Sequence, residues 1–85
     1  MTVQEIIIQW IKNRRHSNPT FYSYDLESAI PIYGRLAHKK VHTASTYSRG
    51  FRKLRESNTL SKYGLKLKEI MHNESKVKGW KIIRS

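Results

Sequence analysis

Residues 43–55 read TASTYSRGFRKLR, and the periodicity of this stretch decides the fold. Placed on a helix, its apolar residues fall on one stripe, made up of Ala44, Tyr47, Phe51 and Leu54. The opposite side carries Ser45, Arg49, Arg52 and Lys53. Thr43 stands where an N-cap belongs, just before the stripe begins. The stretch therefore predicts a short helix with an apolar face for a core and a cationic, hydroxyl-bearing face. Donors of that kind suit phosphates and base edges.

The charge of the whole chain points the same way. The 17 Lys plus Arg residues outnumber 6 Asp plus Glu, which gives a formal net charge of +11 on 85 residues. Residues 35–55 contain seven basic side chains and no acidic one. A field this strong attracts polyanions. A solvated basic surface, an acidic protein partner or an anionic membrane would also account for charge alone, so charge predicts a class of partner only.

Length and composition predict one domain, residues 1–85. A chain of 85 residues buries about 60–65% of its unfolded surface, which leaves little room for an internal active-site cavity. It has no cysteine, which excludes disulfides and thiolate metal sites and agrees with a reducing compartment. The apolar run at residues 6–8 is too short for a signal peptide or a membrane span. We expect a soluble protein, cytoplasmic or nucleoid-associated, or in the host-cell cytoplasm if viral.

A first helix is expected at the N-terminus. Residues 2–5, TVQE, have the form of a capping box. The apolar residues that follow keep helical spacing, namely Val3, Ile6, Ile7, Trp10 and Ile11. Ile8 lies off this stripe. It is expected as an exposed apolar residue, the alternative being that it widens the face into a dimer contact.

The middle of the chain leaves alternatives open. Residues 21–24, FYSY, predict an edge strand or an extended lead-in. Ser23 or Asp25 can cap a second helix over residues 25–30. Pro31 either ends that helix or occupies the first turn of a further helical segment over residues 32–39.

The C-terminal part predicts a β-hairpin. Residues 65–71, LKLKEIM, alternate with a period of two. Residues 72–76, HNESK, are polar and typical of a turn, and residues 77–84 return as the second strand. A turn at residues 58–59 separates the hairpin from the preceding helix. The predicted order is helix, short strand, helix, helix, hairpin.

This order resembles that of the winged helix-turn-helix family, in which a basic hairpin, the wing, follows the recognition helix. The turn and recognition helix are also similar in sequence to the family pattern, at residues 36–37, 45–46, 48–49 and 52–54. Leu60 and the strand with Lys66 and Lys68 stand where a wing begins, and residues 79–82, GWKI, resemble its closing strand. The turn itself, KKVH at residues 39–42, departs from the family's tight turn. The resemblance implies an α+β fold, three helices with a C-terminal β-hairpin wing.

The resemblance also implies a set of DNA-binding residues. They are Thr43, Ser45, Thr46, Arg49, Arg52, Lys53, Lys66, Lys68, Lys76 and Lys78. Arg49 is central on the exposed face, where an arginine fork matches O6 and N7 of guanine; the alternative is a solvent-facing arginine. Ser45 and Thr46 either bind phosphate at the helix start or serve helix capping alone.

The remaining cations are expected to contact phosphate. Arg52, Lys53 and Arg55 lie further along the helix, where they suit the DNA backbone better than base edges. The hairpin lysines serve equally well as phosphate contacts or as protection against edge-to-edge aggregation.

Aromatic residues divide into two groups. The first group, Tyr47, Phe51 and Trp80, is spaced for burial and is predicted to form core. The second group, Tyr22, Tyr24 and Tyr33, could stack on single-stranded bases, which would favour an RNA-binding domain. The helical periodicities argue against that alternative.

The sequence contains no arrangement of residues that is typical of a catalytic site. His38 and His42 are four residues apart and could share a helix face, but no carboxylate or thiolate nearby completes a metal site. The four glycines are isolated, so no phosphate-binding loop is present. No nucleophile with a base and an orienting group is visible. We therefore expect no enzyme activity, no metal and no cofactor.

Together these patterns predict sequence-preferring binding to double-stranded DNA. The chain would be a small transcriptional regulator, of phage or mobile-element type, or the DNA-binding module of a replication or repair protein. Both a monomer and a homodimer are compatible with the sequence, and no membrane partner is expected. The alternatives are an RNA-binding module and a viral protein–protein interaction module that uses the same fold to engage an acidic protein.

Overall fold

The computed structural model describes residues 2–16 and 18–84. These residues form α1 (Val3–Arg14), β1 (Thr20–Tyr22), α2 (Ser23–His38), α3 (Ala44–Glu56), a 3₁₀ helix (Thr59–Tyr63), β2 (Leu65–Met71) and β3 (Lys78–Arg84). The strands form one antiparallel sheet in the order β1-β3-β2. The predicted α+β class with three helices and a C-terminal hairpin is confirmed, and β1 adds an edge strand to the hairpin. In the described part of the chain, every helix is too short or too polar to cross a membrane.

The capping box predicted for α1 is present. The Glu5 backbone N–H donates to Thr2 Oγ1 at 3.2 Å, and the Thr2 N–H donates to Glu5 Oε1 at 3.0 Å. Two N–H groups that lack helical acceptors are thereby satisfied. The hydrogen bond from the Thr2 backbone also lowers the pKa of Glu5 below its ordinary value.

Ile8 is buried, with 4% of its surface exposed, so the prediction of an exposed residue is wrong. Lys12, one turn after Ile8, holds its Nζ 4.8 Å from the ring centroid of Tyr63 in the 3₁₀ helix. The buried face of α1 is therefore wider than the predicted stripe.

The start of α2 differs from the prediction, because its N-cap is Tyr22 rather than Ser23 or Asp25. The Asp25 carboxylate accepts a hydrogen bond from the Tyr22 backbone N–H at 2.9 Å. The Ser23 hydroxyl instead donates to the Lys78 carbonyl at 2.9 Å, which ties the helix to β3. Both side chains thus fix the junction between strand and helix.

Neither alternative for Pro31 is right, since α2 continues through it as one helix. Proline removes one helical hydrogen bond and crowds the preceding turn. The residues on either side explain why the helix persists: Ile30 is fully buried, and Gly34 packs against α3. Core packing therefore outweighs the local cost of proline.

The helix predicted from residues 43–55 is confirmed as α3. Thr43 is its N-cap and accepts a hydrogen bond from the Thr46 backbone N–H at 3.3 Å. Between the two helices, Lys39 adopts the left-handed conformation with φ 52°, and the Lys40 N–H donates to the Gly34 carbonyl at 3.0 Å. These contacts end α2 and turn the chain toward α3.

The core is an aromatic cluster between the helices and one face of the sheet. The Phe21 ring centroid lies 5.2 Å from that of Trp10 and 5.7 Å from that of Phe51. The Phe51 and Trp80 centroids are 4.8 Å apart with the rings nearly perpendicular. Tyr47 is also fully buried. The prediction that Tyr47, Phe51 and Trp80 form core is confirmed.

The register of the hairpin defines two faces of the sheet. Leu67 pairs with Ile82, and Lys68 pairs with Lys81. Because alternate residues of a strand point to opposite sides, the core face carries Leu65, Leu67, Glu69, Trp80 and Ile82. The outer face carries Thr20, Tyr22, Lys66, Lys68, Ile70, Gly79, Lys81 and Ile83.

The segment before the hairpin is more structured than predicted. Asn58 takes φ 57° and leads into the 3₁₀ helix rather than into a simple turn. Leu60, expected at the start of the wing, lies in that helix and is buried. The hairpin itself begins at Leu65, after Gly64 with φ 70°.

Candidate nucleic-acid interface

The exposed side of α3 carries the polar residues that its periodicity predicted. Ser45, Arg49 and Arg52 are exposed, whereas Tyr47 and Phe51 on the opposite side are buried. Ala44, predicted within the apolar stripe, is only half-buried, because the stripe begins at the edge of the core. The α3 helix is thus held by its apolar side and presents a basic surface to solvent.

Hydroxyl groups cluster at the N-terminal end of α3. Thr43 Oγ1 lies 3.2 Å from Ser45 Oγ and 2.8 Å from Thr46 Oγ1, in addition to capping the Thr46 N–H. Thr46 is half-buried, while Ser45 is exposed. Thr43 and Thr46 therefore serve mainly the cap, and Ser45 keeps the most hydrogen-bonding capacity for a ligand.

Arg49 and Lys53 are exposed cations on the solvent-facing side of α3. Neither takes part in an ion pair found among residues 2–16 and 18–84. They border a groove open to solvent, which is also lined by Thr2, Val3, Gln4, Thr46 and Gly50. Gly50 lets α1 approach closely, since a Cβ there would lie 2.9 Å from Val3 Cγ1. The donors along this groove suit a phosphate.

Arg52 forms an ion pair with Glu56, which was not among the predicted features of α3. Its Nε donates to Glu56 Oε1 at 3.2 Å, and both side chains are about two-thirds exposed or more, at 73% and 67%. The pair is one helical turn apart, where exposed ion pairs contribute about 0.3–0.5 kcal/mol. The positive surface of α3 therefore ends at Glu56.

Arg55 lies over the core rather than beside the basic face. Its guanidinium carbon is 5.0 Å from the Phe51 ring centroid and 4.9 Å from the Trp80 centroid. A guanidinium over two aromatic faces is held by cation–π attraction. Arg55 thus has a packing role between α3 and β3, and its expected contact with phosphate stays a prediction.

The four predicted hairpin lysines do not form one surface with α3. Lys66 and Lys68 lie on the outer face of the sheet, whereas α3 packs on the core face through Trp80. Lys78 Nζ is 3.3 Å from Glu69 Oε1, and Lys76 lies in the turn with φ 54°. Among the four predicted hairpin lysines, Lys76 alone lies in the turn and outside both strands.

The histidine pair predicted to share a helix face is divided between two elements. His38 is the last residue of α2, and its Nε2 lies 3.2 Å from Tyr33 Oη. His42 lies in the connection, with its ring centroid 5.7 Å from that of Tyr47. Asn13 Nδ2 also donates to Tyr33 Oη, so this hydroxyl is held in the structure. Within residues 2–16 and 18–84, no three His, Asp or Glu side chains group as metal ligands.

No family model, no curated protein and no solved structure matches this chain.

Proposed function

We propose that the chain is a winged helix-turn-helix domain that binds double-stranded DNA with sequence preference through α3. The order α1-β1-α2-α3-β2-β3 and the strand order β1-β3-β2 support this assignment. A short connection, residues 39–43, joins α2 to α3, as a helix-turn-helix requires.

The observation that carries the proposal is the exposed N-terminal half of α3. This half presents Ser45 and Arg49 to solvent. The first acidic residue of α3 is Glu56, at the C-terminal end of the helix. A helix with side chains is about 10–12 Å across, which fits a major groove about 12 Å wide. In that position Arg49 reads a guanine edge, and Ser45 donates to a base or a phosphate.

Phosphate contacts would then come from the flanks of α3. Lys53 and the groove beside the start of α1 supply donors on one side. Lys39 and Lys40 are exposed in the connection before α3. Lys76 in the hairpin turn is the candidate wing contact. Contacts of this kind position the protein and carry little sequence information.

Selection from a random duplex pool at moderate salt tests the proposal. The parent protein should enrich a defined motif. Arg49→Ala should relax the preference at one base position, because a bidentate arginine–guanine contact is worth about 1–3 kcal/mol of discrimination. Lys62→Ala removes the same charge from an exposed position in the 3₁₀ helix and should leave the motif intact.

Two outcomes would contradict the proposal. Absence of any enriched duplex would remove sequence preference, and an unchanged motif in Arg49→Ala would move the reading surface away from α3. A structured RNA that competes better than any duplex would favour the RNA-binding alternative.

A further inference from the structure

The outer face of the sheet concentrates positive charge without a compensating carboxylate. Lys68 stands directly opposite Lys81, and Lys66 lies two residues before Lys68 on the same face. Like charges at opposed positions destabilise a strand pair. None of these lysines belongs to an ion pair found within the described part of the chain. Glu69, the acidic residue of β2, lies on the core face and pairs with Lys78.

An aromatic stack adjoins these lysines. Tyr22 pairs with Gly79, and a Cβ at Gly79 would lie 2.8 Å from Tyr22 Cε1, so the ring lies across this glycine. The Tyr24 ring stacks on Tyr22, with centroids 5.5 Å apart and planes 22° apart. His72 meets Tyr22 edge-on at 5.4 Å. Tyr24 is 50% exposed, which leaves ring surface open to solvent.

We propose that the outer face is a second nucleic-acid surface, which binds a single-stranded segment. An unpaired base stacks on Tyr24 and extends the tyrosine stack, while the phosphates follow Lys81, Lys68 and Lys66 along the sheet. Aromatic rings beside a basic track are the two components of single-strand binding. Duplex DNA does not suit this surface, because its bases are already stacked and paired. The proposal is independent of duplex binding by α3.

Fluorescence anisotropy with a labelled oligothymidylate of about 15 nucleotides, within the usual site size, tests this surface. Tyr24→Ala should weaken binding about fivefold to a hundredfold, the equivalent of one lost base stack. The double variant Lys68→Ser/Lys81→Ser should lower the slope of log K against log salt by about 1.4, since each single-strand phosphate contact contributes about 0.7. The matched control Arg35→Ser/Lys62→Ser removes equal charge from exposed positions off this face.

Thermal melting separates a binding effect from misfolding. Because Lys68→Ser/Lys81→Ser removes the repulsion between two opposed lysines, the double variant should keep or raise the melting temperature. Oligouridylate of equal length distinguishes RNA from DNA as the source of the strand. The proposal is overturned if oligothymidylate does not bind, or if the control variant weakens binding as much as Lys68→Ser/Lys81→Ser.

Arg49→Ala distinguishes the two surfaces. It should impair duplex binding and leave oligothymidylate binding intact. If it abolishes both, one surface serves both ligands and the second site is refuted. If oligothymidylate binding depends on Tyr24 while no duplex binds, the duplex proposal alone fails.

Discussion

The contact between Gly34 of α2 and Tyr47 of α3 makes a quantitative test of how the helices pack. Tyr47 is fully buried, and its hydroxyl has no hydrogen-bond partner among the described residues. Burial accordingly raises the pKa of Tyr47. The hydroxyl occupies the space in which a Cβ at Gly34 would lie, and Tyr47 Cζ is 3.3 Å from that position. Two substitutions, Gly34→Ala and Tyr47→Phe, should therefore depend strongly on each other.

The expected magnitudes follow from these contacts. A buried hydroxyl without a hydrogen-bond partner costs about 1–3 kcal/mol of stability. Tyr47→Phe removes this hydroxyl and should therefore stabilise the fold. In the parent, Gly34→Ala gains about 0.8–1.0 kcal/mol of helix propensity. It also overlaps the hydroxyl, at a cost of about 1–3 kcal/mol. In the Tyr47→Phe background the overlap is relieved, and Gly34→Ala should be neutral or stabilising by up to about 1 kcal/mol.

A double-mutant cycle measured by urea denaturation gives the coupling between the two positions. Trp10 and Trp80 are buried, so tryptophan fluorescence reports unfolding. The coupling free energy should be about 1–3 kcal/mol, with the double variant more stable than additivity predicts. Gly79→Ala does not serve as a control for Gly34→Ala, because the added methyl group would collide with the Tyr22 ring.

Two results would refute this reasoning. A Tyr47→Phe variant less stable than the parent would mean that the hydroxyl is hydrogen-bonded. A coupling near zero would mean that α2 and α3 are not in close contact at Gly34, and the placement of α3 on α2 would be wrong.

Four further predictions concern the core, the basic face and the capping box. Phe51→Ala should lower the free energy of unfolding by about 3–5 kcal/mol, because Phe51 is buried against two aromatic rings; a variant that melts like the parent would contradict its burial. If about six phosphates are contacted, duplex affinity should fall about a thousandfold between 50 and 200 mM salt, and a flat titration would argue against nucleic-acid binding. Glu56→Gln should release Arg52, tighten binding to every duplex and steepen the salt slope by about one, whereas an unchanged slope would mean that Arg52 does not contact phosphate. The pKa of Glu5 is lowered in the folded state from its ordinary 4.5. The stability that Glu5 contributes is therefore present above that value and is lost as the pH falls through the folded pKa. Urea denaturation between about pH 6 and pH 3 should show a steeper loss of unfolding free energy for the parent than for Glu5→Gln.

Local signals in the sequence predict the starts of α1 and α3 correctly, but not the start of α2. Thr2 with Glu5, and Thr43 before an apolar stripe, bond to backbone groups only a few residues away. Capping depends on such short-range contacts, so the sequence alone suffices. The helical periodicity of residues 43–55 likewise suffices to predict that Ser45 and Arg49 are exposed.

Long-range contacts account for the errors. Ile8 is buried although it lies off the apolar stripe, and no pattern within α1 indicates that burial. Pro31 stays helical because core packing around it outweighs its local cost. Lys81 joins Lys68 on the outer face only through the strand register, which depends on the geometry of the hairpin turn.

The most direct test of duplex recognition by α3 is backbone amide chemical-shift mapping with the selected duplex. We expect the largest shifts in the N-terminal half of α3, around Ser45 and Arg49, with smaller shifts in the residues 39–43 connection and at Lys76. Amides of the outer face, such as Lys68 and Lys81, should shift little with duplex. Shifts confined to the sheet, or absent from α3 at saturation, would contradict duplex binding through α3.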